Sequence, residues 1–137
     1  MEPRLRSLCD LSVPEVREYA GRHEYDGVLQ DLSPGTVAAQ VAALGGPPLA
    51  DPHDDAHLAV FERAARVAYG TLALHRANPL VHVANLDLAC YDREYAPQDE
   101  RDAARRRHLT GWPDAVDAAL EALDRVPADV ARGSLSG

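Results

Sequence analysis

The chain has 137 residues, 46% of them hydrophobic, and a formal net charge of -8. A chain of this size can bury a core, because a domain near 150 residues hides roughly two-thirds of its unfolded surface, and its apolar content excludes a disordered polymer. The acidic balance argues against a general nucleic-acid binder, which needs a concentrated positive surface.

No run of 18 or more apolar residues occurs and the first residues lack a leader-like apolar stretch, so no membrane span is expected and a cytoplasmic location is. Cys9 and Cys90 are too few and too far apart for a disulfide scaffold or a cysteine-rich metal site, and free thiols are expected.

In chain order, a short opening segment leads to a helix signalled by Ser12 and Pro14 and closed by Gly21. Residues 21–33 then form an ordered connector. Asp26-Gly27 is a turn dipeptide, and Tyr25, Val28, Leu29 and Leu32 supply apolar surface that can lie on a core. The Ser33 hydroxyl is expected to cap the next helix, with Pro34 at its first position and Val37, Val41 and Leu44 on its inner face. Residues 45–52, with three prolines and two glycines, read as a stiff connector between antiparallel helices, with a hinge or insertion site as the alternative.

Asp51 and Pro52 open a third helix, with Asp54 and Asp55 where carboxylates favour a helix amino end. Leu58, Phe61, Ala65, Tyr69 and Leu72 define its apolar face, which makes it the expected spine. Further helices are signalled near Asn78, near Ala96-Pro97 and at Pro113, the last with Val116, Ala119, Leu120 and Leu123 as its inner stripe. Arg105-Arg106-Arg107-His108 falls in the last turn of the helix before it, where cations suit the helix dipole, and reads as structural, with a phosphate or acidic-partner patch as the alternative. Residues 132–137 read as a frayed tail. The sum is an all-α fold, an irregular antiparallel bundle of about five to seven helices in one domain spanning residues 1–137.

Two candidate sites stand out. His53 and His57, one helical turn apart, have the spacing of a metal-ligand pair, although capping by Asp51 already explains most of that segment. Asp87, among apolar neighbours, is expected to face the core or a cleft edge and to pair with Arg66, Arg76 or Arg93; His75 and His82 flank Asn78-Pro79 and join the same expected lining, as do His23, Tyr25 and Asp26 in the connector.

The run His23-Glu24-Tyr25-Asp26-Gly27 with Asp31-Leu32-Ser33-Pro34, together with Asn78-Pro79-Leu80, Asn85-Leu86-Asp87-Leu88 and Arg93-Glu94-Tyr95-Ala96-Pro97, resembles the bacterial domain-of-unknown-function 885 family over most of residues 15 to 127. The resemblance implies the amino-terminal helical portion of a zinc-peptidase-like hydrolase, with zinc held in the full-length family by a motif further downstream. Here His23-Glu24 begins like a zinc motif, but Gly27 stands where the second histidine is needed. No cofactor is expected in this chain and no local set of nucleophile, base and orienting group can be assembled, so catalysis is not expected of it alone. Two functions follow: the non-catalytic part of a metallopeptidase-like hydrolase, partnered by a carboxyl-terminal catalytic domain, or a self-contained helical protein-interaction module, including one that self-associates through alanine-rich faces.

Overall fold

Among the described residues, proline stands in the first turn of six of the nine α-helices, where its fixed φ suits the helix and its missing N–H leaves no orphan donor. The computed structural model describes residues 1–135, and among them every regular element is helical. The order is α1 (Pro3–Asp10), α2 (Val13–Tyr19), α3 (Pro34–Ala42), α4 (Pro52–Ala65), α5 (Leu74–Ala77), α6 (Pro79–Leu86), α7 (Gln98–Thr110), α8 (Trp112–Ala122) and α9 (Ala128–Leu135). Single 3₁₀ turns lie at His23–Tyr25 and Ala89–Asp92, and a π-helical turn at Arg66–Thr71 continues α4. The expected all-α bundle is therefore present, and no helix is long and apolar enough to cross a membrane among the described residues.

The main core gathers Leu11, Leu32, Val37, Leu44 and Ala65, so the α1–α2 corner, the connector, α3 and α4 share one apolar centre. A second cluster, Cys9, Val13, Val16 and Tyr25, seats the connector against α1 and α2. Arg4 ties α1 to α4. Its buried guanidinium donates to both oxygens of Glu62 (3.0 and 2.9 Å), to Asp55 (2.7 Å) and to the Pro47 carbonyl (3.0 Å). Hydrogen bonding from Arg4 holds the Glu62 carboxyl below its usual range, and the Leu49 N–H followed by Arg4 does the same for Asp55. With Arg66 donating to the Leu44 carbonyl (2.6 Å), residues 45–52 are tied to α1 and α4 at several points.

Several local expectations change. Pro3–Asp10 is a helix because Glu2 caps it through the Leu5 N–H (2.9 Å) and Pro3 opens it. Ser33 stands at the N-cap of α3 without a side-chain capping bond; the Asp31 carboxylate instead accepts from the Ser33 N–H (2.9 Å) and the Thr36 hydroxyl (2.6 Å). The spine face divides. Leu58 and Ala65 are buried, but Phe61 and Leu72 are exposed, and the Leu72 N–H to Val67 carbonyl bond (2.8 Å) widens the helix after Ala65 and breaks the 3.6-residue register. On α8 the fully buried residue is Ala122, while Val116 and Leu120 face out. The tail expected to fray is helical through Leu135, and Ser136 and Gly137 lie outside the described residues.

The connector turns on two left-handed glycines, Gly21 (φ 59°) and Gly27 (φ 77°). Nothing approaches within 4 Å of a side chain built at Gly21, whereas one at Gly27 would lie 2.9 Å from the Ala104 carbonyl and 3.0 Å from Arg107. Gly21→Ala should therefore cost only the left-handed penalty, about 1 kcal/mol, and Gly27→Ala distinctly more, about 3 kcal/mol. Urea unfolding of the two variants checks the order, and equal costs would mean that the connector is not docked on α7.

Candidate functional site

The candidate residues fall into separate places. His53 and His57 are both exposed on α4, where the Asp51 carboxylate caps the N–H groups of His53 (2.7 Å) and Asp54 (3.2 Å). No group of three or more histidine, cysteine or acidic side chains able to hold a metal occurs among the described residues. In the connector, His23 contacts Asp26 (3.3 Å) and stacks on Tyr95 with ring centroids 4.8 Å apart. Tyr25 turns away from both. Its buried phenol donates to Asp10 (2.8 Å), and burial, then Asp10, pushes its pKa up.

His75 and His82 do come together, but inside the molecule. His82 Nε2 lies 2.7 Å from the His75 carbonyl, which can only accept, so Nε2 carries the proton. Burial foremost lowers the His75 pKa. Asp87 corrects the sequence reading. It is exposed just after α6, and its carboxylate accepts the Ala89 N–H (2.8 Å) in a local turn. Its expected partners are engaged elsewhere: Arg66 with the Leu44 carbonyl, Arg76 with Asp124 and Arg93 with Glu18.

The polar centre of the molecule is a chain of residues that the sequence did not bring together. Gln30 and Asn85 exchange two bonds, Gln30 N–H to Asn85 Oδ1 (2.9 Å) and Asn85 Nδ2 to the Gln30 carbonyl (2.9 Å). The Asn85 carbonyl accepts from His108 Nε2 (3.0 Å), and in the neutral ring Nδ1 is then bare to accept from the Tyr91 hydroxyl (3.0 Å); the Tyr91 oxygen in turn accepts from the Gly27 N–H (2.8 Å). Every step fits a neutral imidazole. His108 has no exposed surface, and burial, followed by the Arg17 charge, lowers its pKa to about 4, while burial pushes the Tyr91 phenol up to about 12. The one available sequence signal was the spacing Arg101, Ala104, His108, which is the buried stripe of α7.

This polar centre sets the orientation of α6. His82 and Asn85 are buried at 6% and 2% exposure, whereas Leu80 and Val83 are 65% and 60% exposed. The usual amphipathic order is reversed. Helix α8 packs on α6 and adds Val116 and Leu120, the latter 75% exposed, beside exposed Asp117 and Glu121. Neither helix contains a lysine or arginine. On another side, α1 and α2 face α4, the π-turn and α6 across a largely apolar cavity of about 650 Å³.

Compared with protein families, with curated proteins and with solved structures, the chain shows no match.

Because folding lowers the His108 pKa from 6.5 to about 4, the unfolded chain takes up a proton that the folded chain refuses as pH falls through that window. The stability tied to the neutral ring is complete above 6.5 and is lost towards 4, by about 3 kcal/mol in total. Urea unfolding across this window should show that decline, and His108→Gln should flatten it. Tyr91→Phe, which leaves the Gly27 N–H without its acceptor, should cost about 2 kcal/mol at neutral pH.

Proposed function

We propose that the chain is a helical protein-interaction module whose α6–α8 face receives a basic amphipathic helix of a partner protein. One observation carries this reading: α6 buries its polar residues and exposes Leu80 and Val83, and α8, which packs on α6, exposes Val116 and Leu120. Large apolar side chains gathered on packed neighbouring helices mark an interaction surface. The acidic edge from Asp117 and Glu121, with no cation on either helix, selects the partner's flanks. Apolar anchors spaced at i, i+3 or i+4 would cover the four side chains, with lysine or arginine beside them. A second copy fits less well, because pairing α8 with α8 brings like charges together.

The metallopeptidase-like reading rests on the sequence resemblance alone and is compatible with the same surface, since a catalytic domain in a longer chain would also need an apolar face to dock on. It differs in what covers that face.

A designed helix with leucine anchors and arginine flanks should bind with an affinity that falls as salt rises, and Leu120→Asp should weaken binding by about tenfold or more. Titration calorimetry at low and high salt, with light scattering on the chain alone, separates the outcomes. No binding overturns the proposal, and self-association abolished by Leu120→Asp assigns the face to a second copy.

A further inference from the structure

The cavity of about 650 Å³ shares none of the four exposed side chains of the α6–α8 face, and its volume lies within the range of small-molecule sites. Leu5, Leu8 and Val16 form one wall and Phe61, Ala68 and Val81 contribute to the other. The π-turn supplies Ala68 and Tyr69, so the widened helix that breaks the spine's register also shapes this wall.

The polar groups in the lining are few. Gln30, itself buried, reaches the cavity beside the Tyr69 phenol, with its Nε2 donating to the Leu11 carbonyl (3.0 Å), and Ser12 adds a hydroxyl. Two charged residues take part, and neither is buried. Glu15 is exposed, and Arg22, whose side chain is 42% exposed, lies 3.8 Å from Glu24. A carboxylate taken to the Tyr69 end would lose water and meet the like charge of Glu15, which acts on the Tyr69 phenol, and an ammonium would find there only the solvent-exposed Glu15 and no buried counter-charge. A hydroxyl or carbonyl would find donors and acceptors of its own strength.

The geometry points to a binding site for a neutral, elongated aliphatic molecule bearing one hydroxyl or carbonyl group, its chain between α1–α2 and α4 and its polar end at Tyr69 and Gln30. The ligand adds to the apolar centre of the fold, so occupancy raises the stability of the whole domain.

Displacement of a bound apolar fluorophore such as Nile red, using 1-dodecanol and dodecanoate as probes, tests the assignment. Dodecanol should displace the dye and raise Tm, and dodecanoate should be about tenfold weaker or worse. Ala68→Phe, which fills the cavity, should abolish dodecanol binding; if that variant does not fold, Val81→Phe from the α6 side does the same. Tyr69→Phe should weaken the alcohol several-fold while leaving dye binding intact. Failure of dodecanol to bind, binding that survives in a folded cavity-filled variant, or tighter binding of dodecanoate would each overturn the proposal.

Discussion

A carbonyl oxygen can only accept, and at Asn85 this elementary fact constrains much of the structure. Because the Asn85 carbonyl can only accept, His108 Nε2 carries a proton; burial keeps the ring neutral, so Nδ1 is bare, Tyr91 donates to it and the Tyr91 oxygen is free to accept from Gly27. Four segments meet in this chain of bonds: the connector, α6, the 3₁₀ turn at Ala89–Asp92 and α7. Buried polar groups are tolerable only when paired, so the network holds together as a unit.

The outward face of α6 follows from this inward requirement. The side chain and backbone of Asn85 serve the connector and His108, and His82 reaches the His75 carbonyl, so the polar residues of the helix turn inward. With that face committed, Leu80 and Val83 have nowhere to go but solvent or a partner. The exposed apolar surface is a consequence of how the polar interior is satisfied. Arginine plays a related part inside the fold: buried Arg17 donates to the Val28 and Asp87 carbonyls, and buried Arg101 to those of Tyr91 and Ala96. A planar guanidinium with several fixed donors suits this use, whereas an ammonium would not reach as many acceptors in one plane.

The starts of α2, α3, α4, α6, α7 and α8 were legible in the sequence because proline and the Asp51 and Asn78 caps act locally, as were the left-handed glycines of the connector, whereas the starts of α1, α5 and α9 were not. The interior was not. His108 was read within a basic run at a helix end, Asn85 only as part of a motif, and Gln30 was left unnoticed, while Asp87 was drawn inward by neighbours whose burial depends on tertiary packing. On α8 the rule that large apolar residues face in selected Val116 and Leu120, but the fully buried position belongs to Ala122. The cavity was beyond sequence reading altogether, because it depends on a π-turn and on the spacing between elements distant in the chain.

The central claim is that a neutral, fully buried His108 organises the fold. The ¹⁵N chemical shifts of its imidazole, followed by NMR as pH is lowered from neutrality, test it most directly. The Nε2–H tautomer is expected, with no titration at the ordinary value of 6.5 and protonation only towards 4. An Nδ1–H tautomer, or a ring that titrates near 6.5 in the folded protein, would contradict it.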